Sequence, residues 1–228
     1  MSTKKAIIVQ GGWDGHTPVE CAALFEKQLK AKGYDVTVYD SMDVYTDDEL
    51  MATVDLIVPI WTMGEISGDQ WKGLDKAVAN GTGIAGFHGG IIDSFRQNTE
   101  YQWMTGGQWV AHPGNCIPEY EVNIVEDHPI TDGIEDFKLT NTEQYYIHVD
   151  PAVRVLATTT FEAGAGDITR YQVGTTLPYA WTKQWGKGKV FVACWGHTFK
   201  DFDEKDVAQA LAYLNKGIRT TLGQRMPL

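Results

Sequence analysis

The stretch Gly86-Phe87-His88-Gly89-Gly90 sets one reactive side chain between glycines, directly after the short apolar run of residues 83–87. A strand that turns sharply into a helix leaves no room for Cβ atoms beside the turn, so this spacing has the form of a nucleophile elbow, G-x-Nu-x-G. Enzymes that attack through such an elbow carry Ser or Cys at its centre, whereas here the residue is His88. An imidazole in that position can act as a general base, a metal ligand or a hydrogen-bond donor.

Further candidates follow other strand-like runs. Trp13, Asp14 and His16 come after residues 5–10, Trp61 and Glu65 after residues 56–60, and Trp195 and His197 after residues 190–194. If those runs lie parallel, their C-terminal ends form one rim, which is where open α/β sheets bind ligands. Two polar clusters in the middle of the chain add His112, in Gln108-Trp109-Val110-Ala111-His112-Pro113, and Glu143, in Glu143-Gln144-Tyr145-Tyr146-Ile147-His148.

This set supports several chemistries. His16, His88 and His112, with His197 and Glu143 in reach, offer N and O ligands for a divalent metal such as Zn. Without a metal, His88 beside Glu143 or Glu65 could move a proton next to a carbonyl or hydroxyl. Cys194, three residues before His197, suggests a Cys–His pair, although a cysteine inside Val190-Phe191-Val192-Ala193-Cys194 reads equally as a small buried hydrophobe. The loop Gly11-Gly12-Trp13-Asp14-Gly15 is glycine-rich but is neither G-x-G-x-x-G nor a Walker loop, and Asp14 and Trp13 stand where phosphate needs open backbone, so no nucleotide is expected. Trp13, Trp61 and Trp195 offer flat apolar faces suited to a sugar ring, with acids and histidines for its hydroxyls. On this reading His88, Glu143 and His197 are catalytic, and Trp13, His16, Trp61, Glu65, Gly89, His112, Tyr145 and Trp195 hold the substrate.

The elements that must position these residues are legible in the first half of the chain. Residues 5–10, 35–39, 56–60 and 83–87 read as strands, and the interior of the first (Ala6-Ile7-Ile8-Val9) and the whole of the third and fourth are continuous apolar runs rather than alternating. Thr17-Pro18-Val19-Glu20 reads as a capping box with Pro at the first helical position, opening a helix that carries Ala22, Phe25 and Leu29 on one face and stops at Gly33. Thr46-Asp47-Asp48-Glu49 opens a short helix by the same logic, and Ser67-Gly68-Asp69-Gln70 caps a third that ends at Asn80-Gly81. Alternating β and α with strands buried on both faces predicts a flavodoxin-like, doubly wound α/β fold with a mostly parallel sheet. Residues 98–178 read as an antiparallel extension of the same domain, with strands at 121–125, 154–159 and 175–181. A last helix is expected over residues 205–216, with Val207, Ala210, Leu211 and Leu214 on one face. The 228 residues are thus read as one domain.

Composition narrows the partners. A net charge of -11 argues against nucleic acid, which wants clustered Lys and Arg. No run approaches the roughly 20 apolar residues that span a bilayer, and the start of the chain shows no signal sequence. Three widely spaced cysteines form neither a disulfide framework nor a CxxC site. A cytoplasmic protein with a small-molecule substrate is expected, with a homo-oligomer left open.

Gly11-Gly12 with His16, the His88 elbow, Gly106-Gly107 leading to His112-Pro113, His128-Pro129-Ile130 with Gly133-Ile134, Glu143-Gln144-Tyr145-Tyr146, and Ala180-Trp181 leading through Gly186-Lys187-Gly188-Lys189-Val190-Phe191 to Gly196-His197 resemble, in order, the ThuA-like family. The resemblance implies a class I glutamine amidotransferase-like fold that has lost its cysteine nucleophile. It also implies a part in the use of trehalose and related sugars, alongside enzymes that make 3-keto sugars. An enzyme acting on a keto-sugar or glycoside is the expectation, and a non-catalytic carbohydrate-binding or interaction protein on the same scaffold is the alternative.

Overall fold

The structure, a computed structural model, describes residues 3–163, 173–202, 218, 220 and 221. Five parallel strands make its centre: β1 (Lys5–Gly12), β2 (Asp35–Tyr39), β3 (Leu56–Thr62), β4 (Gly83–Phe87) and, much later in the chain, β11 (Gly188–Ala193). They lie in the order β2-β1-β3-β4-β11. Ala6, Ile7, Ile8 and Val9 are all buried, as is every residue of β4, so both faces of these strands are covered. This is the mixed α/β architecture with a largely parallel sheet that the apolar runs predict.

On its far side β11 pairs antiparallel with β10 (Thr176–Trp185), and the sheet continues through β9 (Arg154–Thr160) and β6 (Cys116–Ile124) to β7 (Phe137–Glu143). The antiparallel extension therefore joins the same sheet. A separate two-stranded pair, β5 (Gly107–Ala111) with β8 (Tyr146–Val149), carries the loops bearing His112 and Tyr145. β5, β7 and β8 are absent from the sequence reading because polar residues such as Lys138, Asn141 and His148 interrupt their apolar pattern.

Among the described residues before β11 the helices are α1 (Pro18–Ala31), α2 (Asp48–Met51), α3 (Gly68–Ala79), α4 (Gly89–Ile92) and α5 (Thr99–Thr105). α3 has the expected capping box, with the Ser67 hydroxyl accepting the Gln70 N–H and the Gln70 side chain accepting the Ser67 N–H. Two expected caps are corrected. Thr17 sits in the left-handed region at φ 47° and makes no cap bond to α1; its Oγ1 instead accepts the N–H of Phe199 at 3.0 Å. At α2 the cap is Asp47, which accepts the Leu50 N–H at 2.9 Å, because Thr46 closes a preceding 3₁₀ turn. β4 is followed by a single turn, α4, and the chain makes its excursion through β5–β10 before β11 returns beside β4. The helix expected over residues 205–216 lies outside the described residues.

Candidate functional site

His88 stands where the elbow motif puts it, immediately after β4, with φ 47° and ψ −144°. That conformation is costly for a residue with a Cβ and persists only when the surroundings over-determine it. Here the His88 N–H donates to the Ala193 carbonyl at 2.7 Å, and the His88 carbonyl accepts from Ile91 and Ile92. The ring is fixed as firmly. Its Nδ1 lies 3.1 Å from the Cys194 carbonyl, and Tyr145 stacks on it with ring centroids 3.9 Å apart. A carbonyl oxygen only accepts, so Nδ1 carries the hydrogen, and Nε2 is left facing the Glu143 carboxylate at 3.2 Å.

Glu143 ends β7, and two buried tyrosines hold its backbone. Tyr120 donates to the Glu143 carbonyl at 3.0 Å, and the Tyr179 hydroxyl accepts the Tyr145 N–H at 3.1 Å. Glu143 Oε2 faces both His88 Nε2 and His197 Nδ1, the latter at 3.3 Å, while Oε1 lies 3.8 Å from His112 Nε2. His16 closes the group: its ring lies 4.8 Å from that of His88 and 5.0 Å from that of His197, and its Nδ1 meets Thr62 Oγ1 at 2.8 Å. One ligand atom from each of His16, His88, Glu143 and His197 lies within 4.8 Å of the others. Residues from four separate strand ends therefore converge across 181 positions of sequence.

The electrostatics follow from this crowding. Burial drives His16 toward its neutral form, and the nearby His88 and His197 rings add to the effect, lowering its pKa to about 2. Burial alone would raise Glu143, but the His197 and His88 rings that face its carboxylate outweigh it and hold the carboxyl well below the usual range. For His197 burial favours the neutral ring, yet the Glu143 carboxylate 3.3 Å from Nδ1 prevails and its pKa ends raised. Burial, with the carboxylates of Glu143 and Asp93, keeps the Tyr145 phenol protonated far above its ordinary range. Cys194 is fully buried and its thiol is pushed far up by desolvation, so its contribution is the carbonyl that orients His88 and the hydrophobe reading holds.

The other sequence candidates fall at graded distances. Trp13 is 47% exposed, with its ring centroid 4.8 Å from that of His16 in a T-shaped contact, which puts an open aromatic ring beside the cluster. Trp61 is half-buried at the end of β3, where its ring covers Gly11. Gly89 packs directly under His16. His112 is half-buried at the edge, between Trp109 at 5.6 Å and Tyr145 at 6.4 Å, and is outside the four-residue group. Two candidates are corrected. Trp195 is buried against Phe137 and Tyr179, because the chain turns inward after β11 and leaves no face to a ligand. Glu65 is exposed and lines a different depression, with Phe95 and Asn98, so it does not join Glu143.

Sequence reasoning missed Thr62, Trp109 and the pair Asp93–Arg96. Arg96 donates to both oxygens of buried Asp93, at 2.6 and 2.9 Å, and lays its guanidinium over Trp109 at 4.5 Å. The spacing Asp93-x-x-Arg96 just after the elbow was the available signal. A cavity of about 270 Å³ borders the cluster on its other side, lined by His197, Thr142, Asn141, Lys200 and Asp201.

Comparison with known proteins gives the family and the fold. The ThuA family, described as trehalose utilisation, matches residues 5–219. No curated protein matches the chain. Among solved structures, a ThuA-like protein from Bacteroides uniformis ATCC 8492 superposes with a TM-score of 0.75 at 16% identity, covering 92% of this chain and 89% of that one. Another from Parabacteroides merdae ATCC 43184 gives 0.76 at 15% identity, covering 99% and 94%. A glutamine amidotransferase from Thermotoga maritima gives 0.55 at 9% identity, covering 97% of each chain. At such identities these likenesses speak for the fold alone. No helix among the described residues is long and apolar enough to cross a membrane. With the family match spanning nearly the whole sequence, in a fold shared with ThuA-like structures, the chain belongs to the ThuA family.

Proposed function

We propose that this protein is an enzyme acting on a keto-sugar or glycoside, with His16, His88, Glu143 and His197 holding a divalent metal such as Zn. The observation that carries the reading is the convergence of three imidazoles, those of His16 and His88 buried and that of His197 half-buried, on one buried carboxylate. The donor set fits the ion. Zinc takes imidazole and carboxylate ligands at about 2.0–2.2 Å in a tetrahedron, which asks for donor separations near 3.3 Å. The separations of 3.2 and 3.3 Å about Glu143 Oε2 meet that requirement, and the four ligand atoms together lie within 4.8 Å of one another, so the rest of the set draws in around the ion. His88 Nε2, with its hydrogen on Nδ1, otherwise points a lone pair at a carboxylate, an arrangement that either a proton or a cation between them resolves. A backbone carbonyl behind the ligating imidazole is also how proteins orient metal-binding histidines.

A bound ion of this kind supplies Lewis acidity toward a sugar carbonyl or hydroxyl oxygen. The remaining roles belong to the chain. His112 sits outside the ligand group, half-buried, with Nε2 near the free oxygen of Glu143, and it moves the proton at the substrate. Tyr145 stacks on the His88 ring and locks its plane. Trp13 offers its face to the sugar ring. The family's description as trehalose utilisation supports the substrate class.

The test is elemental analysis of the purified protein, joined to turnover of a 3-keto-glycoside by wild type and His88→Ala. About one equivalent of metal, lost with activity in His88→Ala, is expected. Unchanged turnover in that variant, or a metal-free active wild type, overturns the reading. Sugar binding without turnover would instead favour the non-catalytic alternative.

A further inference from the structure

The three ligand histidines are held by different means. The His88 ring is fixed by a main-chain carbonyl, and His197 faces Glu143 directly. His16 has one ring hydrogen bond among the described residues, from Nδ1 to Thr62 Oγ1 at 2.8 Å. Thr62 is the last residue of β3 and is 2% exposed. Its carbonyl also accepts the N–H of Trp13 at 3.2 Å. Both ends of the loop 13–16 are therefore tied to this single residue, and the open Trp13 face and the His16 ring are placed together.

We propose that Thr62 is a positioning residue of the site: its hydroxyl accepts the Nδ1–H of His16 and so turns the Nε2 lone pair of that ring toward His88, Glu143 and His197. The assignment rests on the metal reading above. The geometry favours it in two ways. His16 is buried at the edge of a loop whose other residues, Trp13, Asp14 and Gly15, are exposed, so the backbone alone offers little to fix the ring. The ring also has Gly89 packed against Nδ1 and Cε1, which leaves Nε2 as its free nitrogen. A polar partner behind a ligating imidazole sets both tautomer and orientation.

Thr62→Val keeps the shape of the side chain and removes its oxygen, and Thr62→Ser restores the oxygen. The probe is Co(II), titrated into chelator-stripped full-length protein and followed by its visible absorption. Thr62→Val is expected to weaken Co(II) binding roughly 10–100-fold and alter the spectrum, with Thr62→Ser returning both to near wild type. Thermal unfolding of the metal-free variants checks that each one folds. In Zn(II)-loaded wild type, ¹⁵N shifts of His16 should show the proton on Nδ1. Wild-type affinity and spectrum in Thr62→Val, failure of Thr62→Ser to recover, or a proton on Nε2 of His16 would each overturn the assignment while leaving the metal site standing. A wild type that binds no Co(II) would remove the metal reading and this role with it.

Discussion

His16 and Gly89 fit against each other so closely that a methyl group on Gly89 would stand 2.5 Å from His16 Cε1 and 2.6 Å from Nδ1. Glycine follows His88 in the elbow for two reasons at once: the tight turn, and the ring of a second histidine from another strand end. Gly89→Ala must displace His16, Thr62 or the turn itself. Such overpacking costs roughly 1–3 kcal/mol. The expected outcome is weaker Co(II) binding with no ligand removed, and a lower melting temperature, read by titration and thermal unfolding.

Glu143→Gln keeps the shape and removes the charge that His88 and His197 share. The raised pKa of His197 depends on that charge, against the opposing effect of burial. In the metal-free variant His197 should therefore titrate at lower pH than in metal-free wild type, followed by ring-proton NMR. Metal affinity should fall as well. An unmoved His197 titration would mean that Glu143 does not govern this ring.

The metal-free protein should lose stability as pH falls below 6.5. His16 has its pKa lowered from 6.5 to about 2, so across that window the unfolded chain binds a proton the folded one refuses. One proton corresponds to a slope of about 1.4 kcal/mol per pH unit. His197 acts in the opposite sense: its raised pKa contributes stability that is fully present below 6.5 and is lost as pH rises through its folded value. Glu143 is depressed, so its contribution holds above 4.5 and is lost as pH falls below it, steepening the curve there. Urea unfolding between pH 6.5 and 4.5 checks this, and His16→Asn should flatten the slope.

The thiols should separate cleanly. Cys116 is exposed, whereas Cys21 and Cys194 are buried, with the Cys21 thiol pushed up to about 12 by desolvation. Iodoacetamide on the folded protein is expected to label Cys116 alone, by peptide mass spectrometry. Cys194→Ala should leave metal content unchanged, since only the main-chain carbonyl of that residue faces His88.

The parallel half of the fold is written in local pattern. Apolar runs such as Ala6-Ile7-Ile8-Val9 have one stable solution, a strand covered on both faces, and the Ser67–Gln70 box sets the start of α3 within its own turn. The elbow at His88 is legible for the same reason, because its glycines serve a backbone shape made by five consecutive residues. Local pattern misled where a side chain served a distant partner. Thr17 has the composition of a cap, but its hydroxyl is taken by Phe199, 182 residues away. Trp195 follows a strand as Trp13 does, yet one is buried and the other open, a difference made by how each chain turns after leaving the sheet. The sequence by itself determined which imidazoles could reach the strand-end rim. Tertiary structure alone decided that Glu143 would arrive from an antiparallel strand to meet them, and that Thr62 would stand behind His16, because pairing over such separations depends on sheet order and close packing rather than on any neighbouring residue.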